Sequence, residues 1–495
     1  MESLNGGTIK TLAIRPHWLT VLVYIFVLPI VFVGVFSSAL QLISICGVIL
    51  LVVLFPFLVK KGEYDVFSPW AIICYRVFLT VFVCSIYVTF DLPDPEYISV
   101  FYLSEKPKEF LVLSSFYVLG GILFLTIGYL FQTSKRSTVS LKVFKTDQWN
   151  SRRFNYFTII LLLLSWIGFY FYVTYAVEGS LIEKLSAYRR IMSTEIREYR
   201  SYGYLSWLVT LSTIVYHMSW VRIVSRSTGR CVLQYLIFVL SSVTSISFFF
   251  ISGVRSGIVL WFIALLALTY YTRRNNLNAS IKVVFIIAFM FVLFIFKFMS
   301  DLRPGTHDDS GSNTKLFNLF ELTAPFIASG NGIDISKTGY IIEAIPEKLD
   351  FQWGGTFLNI LYAWIPREVW PNKPLAPLDG IIAMKIYGAE AYGGGGIPPG
   401  LIAELYLNFW LIGVPFGCFL VGCLIKKIYA IFREYRENRN VIIMYVACFM
   451  ELGFSLMGSG FVSTLIGVLS VGIPLFGVLN IVTCSSEEGR KTKLS

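Results

Sequence analysis

Long apolar runs alternate with short polar ones over most of the chain. A helix needs about 20 apolar residues to cross the hydrocarbon core. The stretches that qualify are 18–36, 40–59, 70–90, 110–131, 154–177, 204–222, 232–251, 257–272, 282–300, 400–425, 441–458 and 464–484. The pattern predicts an all-α polytopic membrane protein of about 12 transmembrane helices. Helices fill 1–300, a polar stretch at 301–399 separates them from the rest, and 400–495 holds the last helices and a basic tail. The run at 257–272 is short, and 70–90 contains Arg76, whose stem can reach the near interface.

Composition agrees. Of 495 residues 56% are hydrophobic and 14% charged, with mean hydropathy +0.70. A soluble domain carries about 25% charged residues. The net charge of +11 would suggest nucleic acid in a soluble chain. Here it follows from topology, because basic residues gather in cytoplasmic loops. With the N-terminus inside, every second loop is basic: Lys60-Lys61, 135–153, 222–230, Arg273-Arg274 and 426–439. The loops at 91–109, 178–203, 252–256 and 301–399 then face outward. The eight cysteines lie in or beside apolar runs without metal spacing, so neither a disulfide framework nor a zinc site is expected. The run after Lys10 and Arg15 lacks a small-residue cleavage site and reads as a retained first helix.

Arginines on the outer side are what topology leaves unexplained. Arg255 sits in Ser252-Gly-Val-Arg-Ser-Gly257, a tight loop between two apolar helices. A guanidinium offers a planar fork that fits phosphate oxygens, and one near hydrocarbon usually has a partner. The alternative is an arginine that snorkels to lipid headgroups or caps a helix. Arg189 and Arg190 lie on an amphipathic stretch at 178–203 and are its candidate substrate contacts; Glu195 and Glu198 make a solvated, ion-paired helix the competing reading. Arg303 follows the ninth span. The cluster His307-Asp308-Asp309 reads as solvated loop, because adjacent residues rarely converge on one ion. Residues 315–328 and 336–349 predict short helices, the first lying in the interface.

The most informative segment is Ile365-Pro-Arg-Glu-Val-Trp-Pro-Asn-Lys-Pro374. Its prolines stiffen the chain and would hold Arg367 and Lys373 in place, while the flat face of Trp370 suits a sugar ring. An interfacial anchor without ligand is the alternative. Four glycines at 393–396 form a hinge or a close-approach loop, with no Walker pattern after them. Glu404 and Asn408, four apart, share one helix face. A carboxylate inside a membrane helix is either functional, here as a general base with a raised pKa, or paired to an arginine for packing. No Gly-x-Ser-x-Gly, HExxH or Asp-x-Asp motif is present.

An arginine in a short Gly/Ser loop, a late outer loop, the Trp-Pro-Asn-Lys-Pro element and the Gly/Pro-rich entry to Glu404 together resemble the Wzy-type O-antigen and oligosaccharide repeat-unit polymerases. The resemblance covers the whole topology, and its motifs lie within 252–410. It implies a GT-C-like glycosyltransferase of the bacterial inner membrane, with its active site facing the periplasm. The implied substrates are undecaprenyl-pyrophosphate-linked oligosaccharides in the outer leaflet, and no cofactor or metal is implied. A chain-length-determining co-polymerase is a further implied partner. On this reading Arg255, Arg367 and Arg303, assisted by Arg190 and Lys373, stabilise charge on the departing diphosphate, and Glu404 takes the acceptor proton. The rival readings are a lipid-linked oligosaccharide flippase, which needs a midplane site, and an O-antigen ligase, for which His307 is the available outer histidine. A membrane O-acyltransferase is disfavoured, since His217 lies on an apolar helix and reads as packed.

Overall fold

The computed structural model describes residues 17–59, 65–90, 108–131, 141–175, 203–225, 232–252, 255–273, 334–365, 378–387 and 397–484, with 290, 369, 370 and 372. These residues build a helical bundle. In lipid an unbonded backbone N–H or C=O is costly, and a helix satisfies its own. In chain order the helices are α1 (His17–Phe36), α2 (Gln41–Val59), α3 (Pro69–Thr89), α4 (Lys108–Phe131), α5 (Ser151–Tyr175), α6 (Gly203–Ser225), α7 (Val232–Ile251) and α8 (Arg255–Thr272). The short α9 (Ile335–Glu343), α10 (Gly355–Tyr362) and α11 (Asp379–Ile382) precede α12 (Gly400–Glu434), α13 (Arg439–Ser459) and α14 (Phe461–Val482). Among the described residues nine helices are long and apolar enough to cross a membrane, and α1 and α8 add shorter apolar segments. Each expected span falls on one of these helices except 282–300, which, apart from residue 290, lies outside the described residues.

Two cores hold the bundle. One joins α1 to α4 with α9, α12 as far as Ile425 and the end of α13; the other joins α5 to α8 with the last turns of α12, with α13 and with α14. The helices α4 and α12 touch backbone to backbone. A Cβ on Gly128 would strike the Phe419 carbonyl, and one on Gly422 would strike that of Leu125. Small residues allow this approach where lipid gives no hydrophobic drive between helices.

At one end, called here the basic end, Asn440 donates to the carbonyls of Val143 and Thr146 and to the Thr483 hydroxyl. Nearby the Asp65 carboxylate accepts from Tyr271 at 2.7 and 2.8 Å and from Tyr429 at 2.8 Å, tying the segment before α3 to α8 and α12.

At the other end the sequence expectation needs correcting. The span expected at 400–425 is not one straight helix. Phe409 (φ −139°, ψ 18°) and Trp410 (φ 55°, ψ −155°) break α12 into arms at 400–408 and 411–434. A Cβ on Gly121 would stand 2.7 Å from Ile402 and 3.5 Å from Cys418. Residues sixteen apart on a straight helix lie about 24 Å apart. The arms therefore fold back on each other, and a Cβ on Gly413 would lie 2.7 Å from the Leu405 carbonyl. The amide of Gln352 bonds the Leu407 carbonyl at 2.9 Å, satisfying one group that the break releases. Helix α9 falls close to the helix expected at 336–349 and packs inside the bundle. Its Ile335, Lys337 and Ile341 are buried, and Gly339 is pressed against Ser114 of α4.

Candidate functional site

The turn between α13 and α14 is one residue, Gly460, at φ 96°. That conformation is open to glycine and strained for other residues. Two helix ends therefore sit side by side: the carbonyl end of α13, partly negative, and the amide end of α14, partly positive. Each is met by the opposite charge. Lys337 Nζ donates to the Gly458 carbonyl at 3.3 Å. The Glu404 carboxylate accepts from the amides of Phe461 and Val462, the latter at 3.4 Å. Glu404 is 3% exposed and Lys337 1%. A Cβ at position 460 would lie 2.7 Å from Glu404 Oε2, so the turn also needs glycine for space.

Lys337 is positioned from its own helix start. Asp334 caps α9, accepting from the Lys337 amide at 3.0 Å and the Ser336 hydroxyl at 2.8 Å. Burial pushes the Asp334 carboxyl up, with Lys337 opposing it. Burial lowers the Lys337 amine, Asp334 and Asp379 raise it, and Arg76 lowers it further. Arg76, whose stem the sequence reading let reach the near interface, is half-buried, with its Nη2 buried.

Asn408, fully buried, donates to the Glu404 carbonyl at 2.8 Å and accepts from the Thr356 hydroxyl at 3.0 Å. This bond fastens α10 over the arm, and the rings of Phe357 and Phe461 meet above it at 5.8 Å. The far end of α10 reaches α6 through Trp364 and Trp207, 4.9 Å apart. Trp370 is 39% exposed, and its ring and that of Tyr362 form a T-shaped pair with centroids 5.6 Å apart.

Of the residues nominated from sequence, Glu404 and Asn408 come together on the arm. The described contacts of the Glu404 carboxylate are with the backbone amides of Phe461 and Val462. Arg255 is the first residue of α8. Arg189, Arg190, Arg303, Arg367, Lys373 and His307 lie outside the described residues. His217 is packed as expected, stacked on Tyr216 at 4.2 Å. Sequence reasoning missed Lys337, Asp334 and Thr356. A signal for the turn existed: Gly458-Ser-Gly460 interrupts two apolar runs.

The arrangement brings helix α9, the segment before Trp370 and the 400–408 arm into one polar knot at the end of a membrane bundle. A family model described as O-antigen polysaccharide polymerase Wzy matches residues 18–485. No solved structure matches the chain.

Proposed function

The chain belongs to the O-antigen polysaccharide polymerase Wzy family, and from that premise we propose how its residues join repeat units. It is a multi-pass membrane glycosyltransferase that polymerises oligosaccharide repeat units. The finer reading is that the units arrive on undecaprenyl pyrophosphate in the outer leaflet of the bacterial inner membrane. The acceptor hydroxyl oxygen bonds to the donor's anomeric carbon. The bond from that carbon to the diphosphate breaks, its electron pair leaves with the carrier, and the hydroxyl proton passes to a base or to water.

Negative charge grows on the departing diphosphate. Arg255, Arg367 and Arg303, assisted by Arg189, Arg190 and Lys373, are proposed to meet it. Trp370 supplies a sugar platform. The observation that supports this placement is the meeting of Lys337 and Glu404 at one turn, since it builds the polar stretch into the bundle. A chain-length-determining co-polymerase is a proposed partner.

Two readings of Glu404 divide here. As a base it would take the acceptor proton. As a cap it holds the first amides of α14, and its bonds to Phe461 and Val462 favour this second role.

The test is reconstitution with a lipid-linked repeat. Arg255→Ala and Arg367→Ala should insert normally and make no polymer. Polymer of wild-type length and amount from both would contradict the assignment. Movement of lipid without lengthening would point to a flippase, and transfer of finished polymer to a lipid acceptor would point to a ligase.

A further inference from the structure

Arg76 is the single charged residue of α3. Its surroundings follow from packing. Gly453 of α13 lies against α3, since a Cβ there would stand 2.8 Å from both Ile72 Cβ and the Pro69 carbonyl. Both helices start at the basic end and run the same way. One turn further along each brings Arg76 beside Met457. The Met457 carbonyl is 2.7 Å from where a Cβ on Gly400 would stand, and the next carbonyl, Gly458, holds Lys337. The last turn of α13 therefore gathers Arg76, Lys337 and the start of the 400–408 arm.

That arm begins without a side-chain cap at Pro399, and its first residues are buried. Its leading amides therefore have no side-chain acceptor at Pro399. Arg76 Nη2 is buried and has no hydrogen-bond partner among the described residues. Of the nearby acids, Asp334 caps α9, Glu404 caps α14, and Asp379 acts on Lys337. Directly after Arg76 the helix widens into a π turn, Phe78–Val83, a feature frequent at functional sites. A buried guanidinium nitrogen without a partner in a membrane bundle calls for an anion.

Joining two lipid-linked units places two diphosphates on the enzyme together, one leaving and one retained by the acceptor. We propose that Arg76 is a further substrate-binding residue whose guanidinium grips a phosphate oxygen of one of these diphosphates, beside Lys337 and the amide end of the 400–408 arm. The proposal rests on the lipid-diphosphate reading given above. A phospholipid headgroup offers similar oxygens and is the competing source.

The full-length protein in nanodiscs is compared with Arg76→Met and Arg76→Lys. The readouts are binding of polyprenyl diphosphate, competition by phosphatidylglycerol, thermal unfolding, and polymerisation split into KM and kcat. Arg76→Met should unfold no earlier than wild type, because it removes a half-buried charge whose buried Nη2 has no partner among the described residues. It should bind polyprenyl diphosphate at least tenfold more weakly and show a raised KM, and Arg76→Lys should recover part of both. Should Arg76→Met fail to insert, Arg76→Gln is held to the same binding criterion. Unchanged binding in these variants overturns the proposal, as does displacement of the diphosphate from wild type by equimolar phosphatidylglycerol. Wild-type protein that binds the diphosphate yet never lengthens a lipid-linked repeat defeats the polymerase mechanism instead, and leaves the Arg76 site standing.

Discussion

Lys337 and Glu404 grip opposite sides of a single glycine turn, the lysine at the carbonyl end of α13 and the glutamate at the amide end of α14. Each charge complements the helix end it meets. Lys337→Met removes the cation while Asp334 stays buried. Breaking a buried pair from one side costs about 3–5 kcal/mol. The variant should unfold at clearly lower temperature, and adding Asp334→Asn should restore part of the loss. Additive losses in the double variant would show that the two groups do not interact.

Glu404→Gln keeps a side-chain oxygen for the amides of Phe461 and Val462 but cannot take a proton. The cap role predicts near wild-type polymer from Gln and a folding defect from Ala. A folded, correctly inserted Gln variant that makes no polymer would return Glu404 to the role of base.

Thr356→Val deletes the donor to Asn408 and leaves a buried amide oxygen with one partner fewer. The cost should be about 1–3 kcal/mol. The variant should also let α10 detach from the arm, seen as faster proteolysis near Trp353. Thr356→Ser should behave as wild type.

Gly422→Leu should block assembly of α4 against α12, because even a Cβ there meets the Leu125 carbonyl. Gly467, with open space around it, should accept alanine without loss. Equal insertion of Gly422→Leu and wild type would refute the backbone contact.

At the basic end, burial pushes the Asp65 carboxyl up, and bonds from Tyr271, Tyr429 and the Phe67 amide only partly oppose this. A raised value means that the fold holds the proton more tightly than the unfolded chain does. Stability from this group is full below the ordinary aspartate range and is lost as pH rises through the raised value. Asp65→Asn should flatten that part of the unfolding-temperature profile.

Most of the bundle is readable from the sequence, because lipid forces long apolar runs to be helices. The site is readable only in part. Glu404 and Asn408 stand out by their spacing and polarity. The fold-back does not: Leu405 to Gly413 contains one polar residue, Asn408, and continues the apolar run on both sides. Lys337 is hidden for another reason. The α9 sequence, Ile-Ser-Lys-Thr-Gly-Tyr-Ile-Ile-Glu, mixes polar and apolar residues as a short amphipathic helix does, and its burial depends on Gly339 fitting against Ser114 of a distant helix. Arg76 is visible as a charge, but which way it turns depends on contacts made by α13.

The joint at Phe409 and Trp410 also frees the protein from a constraint of ordinary helices. Within an unbroken helix each inserted residue rotates everything beyond it by about 100°. Here the rotation stops at the joint. The face that carries Glu404 and the face that locks onto Gly128 can be re-registered separately, so chains of this kind can gain or lose residues at that joint and keep both surfaces correctly aimed.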